Sequence, residues 1–385
     1  NSFEIIVIDN DSHDGTVDDI KNYFDDIHII ENNVNEGFSK AVNKGIKIAK
    51  GNFICLINPD VIIKENTFSV LMDYLESNSN VGCVGPKIIN ADGSIQHSCK
   101  RSFPTPLNAI FRLFSLDKIF PKSKIFGEYN LTYLDINQIH KVDAISGAFM
   151  MFDRKIIDKV GILDESFFMF GEDIDFCFRI KNQGYDIVYN PETEIMHYKG
   201  ESVKSSPYDM VNVFYNAMEI YFEKYSKNYP NWKIINIFVK FGLFIRKSLS
   251  YSKLILNNLF SLILDSSFII ASFAFSIYLW YTNQHLESVD FNKIYYHWPL
   301  IANFLFSWYI STKLTQVYKQ NYLAYTRIFL TVLVTFLISS TSTYFISYFA
   351  YSRGVLVFST IFSLFFLLSW RFIINFLYLN KIISI

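Results

Sequence analysis

The sequence changes character near residue 230, and this change limits what the chain can fold into. Residues 1–230 hold 33 acidic and 23 basic residues, whereas residues 231–385 hold 3 acidic and 12 basic residues. The second part also contains four apolar stretches, at 259–281, 298–311, 328–350 and 355–379. Because a helix needs about 17 to 25 apolar residues to cross a bilayer, we predict about four membrane spans within 258–385. The stretch at 298–311 reaches that length only when extended to 294–314, so an interfacial or re-entrant helix is its alternative.

The positions of Lys and Arg predict an orientation. They cluster before the first stretch, between the second and third, and after the fourth, and basic loops of this kind stay in the cytoplasm. We therefore predict a multi-pass protein of the inner membrane whose first part faces the cytosol. Its four cysteines have no metal-ligand or redox spacing, which agrees with a reducing compartment. The formal net charge of −1 gives no indication of a nucleic-acid partner.

Apolar runs alternate with helical patterns in residues 1–230. Strand-like runs occur at 3–8, 27–31, 52–57 and 81–89, and helical patterns occur at 17–23, 40–49 and 65–77. This alternation predicts an α/β domain with a mostly parallel central sheet and helices on both faces. Ligands of such sheets bind beyond the carboxyl ends of the strands, so the polar residues at those positions are candidate site residues.

Three polar turns follow the predicted strands. Asp9 opens an acidic turn, Asn58 and Asp60 flank Pro59 after the third strand, and Asn35 and Gly37 open a helix whose backbone N–H groups could meet a phosphate. Each turn also has a structural explanation, because Asp, Asn, Ser and Gly are common turn and helix-capping residues. Taken alone, none of the three turns decides between the two explanations.

Two further signals lie later in the chain. Glu172 and Asp173 follow the aromatic run at 167–170. Carboxylates favour a helix N-terminus for electrostatic reasons, but aromatic neighbours also raise a carboxylate's pKa and exclude water, as a general base requires. His197 follows a strand-like run, and a single histidine is more often structural than a metal ligand.

The order of these motifs is similar to that of the family-2 inverting glycosyltransferases with the GT-A fold, in particular their bacterial rhamnosyltransferase-like members. Over residues 2–225 the chain reads V-I-D-N-D-S-x-D-G-T, N-x-G-F, L-I-N-P-D, S-G-A-F-M-M-F, F-G-E-D-I-D-F and H-Y-x-G-E-S in turn. The resemblance implies a nucleotide-sugar-binding domain at residues 1–230. It also implies that such a domain transfers a sugar from a nucleotide diphosphate to an acceptor.

The resemblance assigns roles to eight residues. Asp9, Asn35, Gly37 and Asn58 would contact the nucleotide-sugar donor, with Asp9 at the base or ribose. Asp60 and His197 would hold a divalent metal, Mg²⁺ or Mn²⁺, at the donor diphosphate, where it acts as a Lewis acid. Asp173 would be the catalytic base of a single in-line displacement at the anomeric carbon, and Glu172 is its neighbour.

Two departures qualify these expectations. The metal motif reads Asn58-Pro59-Asp60, so one carboxylate of the family's D-x-D element is absent. The family's first strand would precede Asn1, so the chain is expected to be truncated at its start and poorly active.

The membrane part has a looser resemblance of its own. Asp265, the basic loop at 313–327, the turn at 351–354 and Trp370-Arg371 resemble the four-span amino-terminal part of polyprenyl-phosphate sugar-phosphate transferases. In that family a catalytic domain follows, so the chain is also expected to be truncated after Ile385. An ordinary structural explanation of Asp265 places it near the membrane interface, within reach of water.

An amphipathic linker is predicted at 231–257, between the two parts. Its basic residues suit an anionic membrane surface, and a helix packed on the catalytic domain is the alternative. The whole sequence thus predicts a membrane-tethered, metal-dependent inverting glycosyltransferase. It would move a sugar of the rhamnose type from a nucleotide diphosphate to a polyprenyl-diphosphate-linked glycan. The alternatives are an inactive scaffold of a polysaccharide assembly complex, or the front of a bifunctional enzyme with sugar-phosphate transferase activity.

Overall fold

The computed structural model of the chain describes residues 3–113, 116–198, 209–228, 232–284, 291–318, 325–346 and 352–379. It divides into two compact units, residues 1–250 and 251–385. The division falls inside the segment predicted as a linker. Each unit is described by itself.

Two sheets form the centre of the first unit. Strands β1 (Ile5–Asp9) and β2 (Ile27–Glu31) pair in parallel. A six-stranded sheet has the order β3–β7–β5–β8–β4, with β6 also paired to β8. Its strands are β3 (Phe53–Ile57), β4 (Val61–Ile62), β5 (Val81–Ile89), β6 (His140–Val142), β7 (Phe149–Asp153) and β8 (Asp186–His197).

The predicted α/β class is confirmed, but the large sheet is mixed rather than mostly parallel. Among its pairings only β5 with β8 is parallel, and the other four are antiparallel. The difference arises at β7, which inserts between β3 and β5 and runs antiparallel to both. Its sequence, Phe-Met-Met-Phe-Asp, gives a buried strand but no information about direction.

Helices surround the sheets of the first unit. They are α1 (Thr16–Tyr23), α2 (Phe38–Ile48), α3 (Thr67–Ser77), α4 (Pro106–Leu113), α5 (Leu116–Ile119), α6 (Lys155–Val160), α7 (Glu172–Asn182) and α8 (Met210–Tyr225), with 3-10 turns at His97–Cys99 and Ser226–Asn228. Strand β5 lies at the core because it is apolar almost throughout, and seven of its nine residues are buried. Gly45 lets α2 approach β1 closely, since an added Cβ would lie 2.9 Å from Ile8 Cδ1.

Long helices make up the second unit. Helix α9 (Trp232–Gln284) begins in the first unit and ends in the second, and it is followed by α10 (Phe291–Tyr296), α11 (Trp298–Thr315), α12 (Tyr325–Phe345) and α13 (Arg353–Leu379). In the part of the chain that the structure describes, three segments are long and apolar enough to cross a membrane: Asn236–Thr282, Tyr325–Phe345 and Arg353–Leu377. Helix α11 is not among them. The prediction of a fourth span is therefore unconfirmed, and the alternatives for this stretch stay open.

Some predicted features of the membrane part fall partly outside the described residues. These are residues 347–350 of the third apolar stretch, residues 319–324 of the basic loop, and Tyr351. Within the described part, Asp265 on α9 is fully buried against Arg371 on α13. The explanation that placed Asp265 within reach of water is therefore wrong.

In the first turns of α9 the large apolar side chains are exposed, and two lysines contact residues of α8. Lys240 lies 3.3 Å from a carboxylate oxygen of Glu219 and 2.7 Å from one of Glu223, both on α8, and Lys247 donates to Asn212. The large exposed side chains of this segment are Ile237, Phe238, Phe241, Phe244 and Leu249. The contacts favour the alternative in which this helix packs on the catalytic domain, and its large exposed side chains are apolar.

Candidate active site

Asparagine side chains join the ends of β1 and β2. Asn10, directly after Asp9, donates to the Asn35 side chain at 3.0 Å and to the Gly37 carbonyl at 3.2 Å. Its own side-chain oxygen accepts from Asn32 at 3.0 Å and from the Glu36 backbone at 3.1 Å. Asp9, Asn35 and Gly37, which are predicted to contact the nucleotide-sugar donor, therefore lie together. This is expected for the adjacent ends of two parallel strands.

Gly37 also connects this cluster with the aromatic run before α7. Its φ is +86°, and an added Cβ would lie 2.6 Å from the Phe168 carbonyl oxygen, so only glycine fits here. The next residue, Phe38, donates its N–H to the same carbonyl at 2.6 Å. The turn predicted to meet a phosphate thus contacts the loop that leads into α7, the helix that carries the predicted base.

A sharp turn positions the start of α7. Phe170 and Gly171 both adopt positive φ, at +70° and +85°. A positive φ is uncommon for a bulky side chain, and such strain is frequent at functional sites. The turn places Glu172 and Asp173 in the first turn of the helix, where the helix dipole favours carboxylates.

Asp173 is held by three hydrogen bonds. Arg101 donates to Oδ2 at 2.6 Å, the Gly147 N–H donates to Oδ2 at 3.1 Å, and the Ile174 N–H donates to Oδ1 at 2.8 Å. The side chains of Arg101 and Asp173 are 11% and 14% exposed, so the ion pair is partly screened from water. An ionised carboxylate has about four acceptor positions, which leaves capacity for a substrate hydroxyl.

Glu172 occupies a different environment from its neighbour. It is 7% exposed, and its Oε2 has no hydrogen-bond partner among the described residues. Burial, together with the charge of Asp173, raises the pKa of Glu172 to about 8. The raised pKa expected for a carboxylate beside the aromatic run is therefore found at Glu172, while Asp173 is paired with an arginine.

The predicted metal residues face each other. The Asp60 Oδ1 atom lies 3.2 Å from Nε2 of His197, and the two side chains are 13% and 10% exposed. Among the described residues, neither Asp60 Oδ1 nor Asn58 Oδ1 has a hydrogen-bond partner, although both atoms are buried. No group of three or more His, Cys, Asp or Glu side chains suited to a metal occurs in the described part of the chain. Two protein ligands are therefore available here, and a bound diphosphate would have to complete the coordination.

One short loop links the predicted base to the predicted metal residues. The Gly147 N–H contacts Asp173, and the carbonyl of the next residue, Ala148, accepts from the Asn58 N–H at 3.0 Å. The Asp60 carbonyl accepts from Tyr198, directly after His197, at 2.9 Å. Contacts between neighbouring segments thus run from Asp173 to His197, and the eight predicted residues lie on strand ends, turns and a helix start that touch one another.

The sequence did not indicate three residues that complete this arrangement. Arg101 binds Asp173 from 72 positions away, and Gln96 binds His197 from 101 positions away. Both come from a polar segment without periodicity, so no local signal marks them. Gly147 lies in the quoted motif S-G-A-F-M-M-F, but only its contact with Asp173 shows why a small residue stands there.

Comparisons with known proteins bear on the class of the first unit. Residues 1–161 match the family Glycosyl transferase family 2, a range that includes the five candidate residues from Asp9 to Asp60 but not Glu172, Asp173 or His197. The low-salt glycan biosynthesis hexosyltransferase Agl10 of Haloferax volcanii is 29% identical over 190 residues, covering 48% of this chain and 55% of the relative. The N-acetylglucosaminyl-diphospho-decaprenol L-rhamnosyltransferase of Mycobacterium tuberculosis is 26% identical over 214 residues, covering 53% and 69%.

Two more distant likenesses complete the comparison. The rhamnosyltransferase WbbL of Escherichia coli is 25% identical over 159 residues, covering 41% of this chain and 56% of the relative. A mannosyltransferase structure from Pyrobaculum calidifontis is 17% identical, with a TM-score of 0.39; the match covers 63% of this chain and 61% of that structure's chain. The chain spans little more than half the length of two of the three curated relatives. The predicted enzyme class is confirmed at the level of the first unit, which carries a glycosyltransferase domain.

Proposed function

We propose that the chain is a membrane-tethered, metal-dependent inverting glycosyltransferase that acts on a lipid-linked glycan. The observation that carries this proposal is the run of contacts between neighbouring segments from Asp173 to His197. It joins a carboxylate able to act as a base to a carboxylate and an imidazole able to hold a cation. The relative from Mycobacterium tuberculosis, named for an acceptor on decaprenyl diphosphate and for L-rhamnose, supports a polyprenyl-diphosphate-linked acceptor and a rhamnose-type sugar.

In this mechanism Asp173 takes the proton of the acceptor hydroxyl. A bond forms between the acceptor oxygen and the anomeric carbon while the bond to the diphosphate breaks on the opposite face, which inverts the configuration. Arg101 and the N–H groups of Gly147 and Ile174 orient the carboxylate. Fixing the base in this way lowers the entropic part of the barrier.

The residues present fit a divalent cation at the diphosphate. Asp60 Oδ1 is a buried carboxylate oxygen without a hydrogen-bond partner among the described residues, and an imidazole nitrogen lies 3.2 Å away. Asp60 and His197 would hold Mg²⁺ or Mn²⁺, which supplies positive charge to the leaving diphosphate. The nucleotide-sugar donor would contact Asp9, Asn35, Gly37 and Asn58, with Asp9 at the base or ribose.

Membrane helices keep such a domain near its acceptor. We place residues 1–250 on the cytosolic side of the inner membrane, because the basic residues around the apolar stretches follow the positive-inside pattern. The exposed phenylalanines at the start of α9 suit the membrane interface.

Replacing Asp173 by Asn tests the assignment of the base. The full protein encoded by the gene is assayed for nucleoside diphosphate release from a panel of sugar nucleotides, with a polyprenyl-diphosphate-linked N-acetylglucosamine as acceptor. Loss of a general base lowers turnover by about 10²- to 10⁴-fold. Because Asp173→Asn also leaves Arg101 without its counter-charge, the melting temperature should fall too, so turnover is compared at a temperature where both proteins are folded. The exposed Asp158→Asn is the matched control and should keep full activity.

Two results would contradict the proposal. Wild-type turnover by the Asp173→Asn variant would remove Asp173 as the base. Absence of turnover in the wild type with every donor, in a folded and membrane-bound protein, would favour the scaffold instead.

A further inference from the structure

Gln96 makes two hydrogen bonds to one residue. Its Nε2 donates to the His197 carbonyl at 2.9 Å, and its Oε1 lies 3.0 Å from Nδ1 of the His197 ring. The side chain is 5% exposed, and its two contacts bridge 101 positions of sequence. Such a paired contact fixes both the amide and the ring.

The backbone of Gln96 is anchored as well. Its N–H donates to Ile88 at the end of β5 at 2.9 Å, and its carbonyl accepts from Cys99 at 3.1 Å. The side chain therefore projects from a fixed point next to β8, the strand that pairs with β5 and ends at His197.

These contacts determine which ring nitrogen of His197 carries the proton. Because the amide N–H₂ of Gln96 is directed at the His197 carbonyl, the atom that faces Nδ1 is the amide oxygen, which can only accept. Nδ1 must therefore donate, and a neutral ring then has its lone pair on Nε2. That nitrogen is the one that faces Asp60, at 3.2 Å.

We infer that Gln96 is a positioning residue that presets His197 to bind a divalent cation through Nε2, together with Asp60. The inference rests on the proposed metal dependence and goes beyond it, because it assigns a role to a residue that touches neither metal nor substrate. Metal-ligating histidines commonly donate their second N–H to an oxygen acceptor, and loss of that acceptor costs about 10- to 100-fold in metal affinity.

Nuclear magnetic resonance of the ring nitrogens tests the tautomer directly. The full chain is labelled with ¹⁵N-histidine, and the His197→Gln variant identifies the His197 signals among those of the 7 histidines. At a pH where the ring is neutral, the wild type should show the Nδ1–H tautomer. In Gln96→Leu the Nε2–H form should appear, whereas Gln96→Glu keeps an acceptor at Nδ1 and should keep the wild-type tautomer.

Mn²⁺ affinity provides the second readout. Binding is followed by electron paramagnetic resonance with Mn²⁺ alone and with Mn²⁺ plus uridine, thymidine or guanosine diphosphate. We expect Gln96→Leu to bind 10- to 100-fold more weakly and Gln96→Glu to stay within a few-fold of the wild type. The exposed Gln138→Leu serves as the control and should not change affinity.

The outcomes separate this inference from the proposed function. An Nε2–H ring in the wild type overturns the inference, as does equal loss of Mn²⁺ affinity in Gln96→Leu and Gln96→Glu, which indicates a purely structural role. Should Gln96→Leu fail to fold, the wild-type tautomer and the Glu variant still decide. A wild type with the Nδ1–H tautomer that binds no Mn²⁺ with any diphosphate would instead refute the metal dependence in the proposed function.

Discussion

Glu172 and Asp173, two adjacent carboxylates at the start of α7, have different hydrogen-bonding and electrostatic surroundings. Asp173 faces the guanidinium of Arg101 and two backbone N–H groups, whereas Glu172 is buried without a partner among the described residues. Neighbouring acids with unlike environments are a common arrangement in catalytic sites, because one can stay ionised while the other stays protonated. The difference can be measured at Glu172.

Glu172 should make the stability of the protein depend on pH. Its folded pKa of about 8 lies above the ordinary value of 4.5, so between these values the folded protein holds a proton that the unfolded chain releases. The free energy of unfolding should therefore fall as the pH rises from about 4.5 to 8 and level off above. Glu172→Gln lacks this titration. The melting temperature of the variant minus that of the wild type should therefore rise between pH 4.5 and 8. A difference that stays constant from pH 5 to 9, as expected for the exposed control Glu65→Gln, would contradict the assignment.

Gly147 should be required for activity more than for folding. An added Cβ would lie 3.2 Å from Cβ of Asp173 and 3.6 Å from Oε1 of Glu172, so alanine must displace Asp173, the proposed base, by a few tenths of an ångström. We expect Gly147→Ala to lower kcat/KM by about 10- to 100-fold, since small misplacements of catalytic groups are costly. Gly93→Ala is the comparison, because its φ of +80° strains the backbone while nothing lies within 4 Å of the added atom. Each variant's loss of kcat/KM is compared with its own loss of stability. If Gly147→Ala loses no more activity for a given loss of stability than Gly93→Ala does, Gly147 does not position Asp173.

At the scale of single residues, the sequence predicted positions but not partners. The positions of Asp9, Asp60 and Asp173 at strand ends or a helix start could be predicted, because each follows an apolar run; their roles stay predictions. Arg101 and Gln96 reach the site through contacts across 72 and 101 positions, and no local pattern encodes such distances. These partners set the surroundings of the predicted site residues, since Arg101 pairs with Asp173 and Gln96 contacts the His197 ring.

At the scale of elements, a buried carboxylate joins α7 to α8. Asp175 is fully buried and accepts from Arg179 Nε at 2.9 Å, from Lys224 Nζ at 2.6 Å and from the Tyr225 hydroxyl at 2.6 Å. Removing one member of a buried ion pair commonly costs 3 to 5 kcal/mol, because the remaining charge is left without compensation. The helix that carries the predicted base is thereby held against the helix that precedes α9.

Asp175→Asn should therefore destabilise the first unit strongly. We expect a loss of about 3 kcal/mol in the free energy of unfolding, since Arg179 and Lys224 lose their counter-charge. Tyr225→Phe removes one hydrogen bond to a charged group and should cost about 1.5 to 3 kcal/mol. Chemical unfolding followed by hydrogen–deuterium exchange of peptides from the first unit measures both, with the exposed Asp158→Asn as control. A smaller loss for Asp175→Asn than for Tyr225→Phe would show that the ion pairs contribute little.

A second buried ion pair joins α9 to α13 in the other unit. Two nitrogens of Arg371 each lie 2.8 Å from an oxygen of Asp265, Trp370 Nε1 donates to Asp265 at 2.9 Å, and the Tyr318 hydroxyl also donates to it. Charged residues within membrane segments are costly unless paired, so this pair should fix the packing of the two helices.

Removing both charges should harm the second unit less than removing one. Arg371→Met leaves Asp265 buried and without its cation, and Asp265→Leu leaves the arginine in the same condition, so each should lower the melting temperature in detergent markedly. The double variant buries no unpaired charge and should be more stable than the sum of the single effects indicates. Additive losses would show that the two side chains act independently.

Among elements, prediction from sequence succeeded for strand and helix positions and failed for strand direction. The apolar run of β5 identifies a central strand, because only a strand covered on both faces is apolar throughout. The antiparallel insertion of β7 between β3 and β5 depends on how the long segment between β5 and β7 returns to the sheet. That path is a property of tertiary packing, which periodicity does not report.

At the scale of the whole molecule, the division of charge near residue 230 predicted two physically different units, and the structure divides at residue 250 within the predicted linker. The number of spans was less predictable. Helix α11 has 18 residues and contains proline, lysine and several serines and threonines. It also buries Asn303, Ser307 and Ser311, so its polar side chains are directed into the protein rather than towards lipid.

Cysteine labelling can decide whether α11 crosses the membrane. Cysteines are introduced one at a time at Tyr295, Gln316 and Ser352. Tyr295 lies before α11, Gln316 lies between α11 and α12, and Ser352 lies between α12 and α13. The natural cysteines give little background, because all four lie in the first unit and three are buried.

If α11 crosses, as the positive-inside pattern predicts, positions 295 and 352 are labelled by an impermeant thiol reagent from outside, and position 316 only after the membrane is opened. If α11 does not cross, positions 295 and 316 are labelled together from outside and position 352 is protected. Position 352 therefore distinguishes four spans from three, and protection at 295 would contradict a cytosolic first unit in either arrangement.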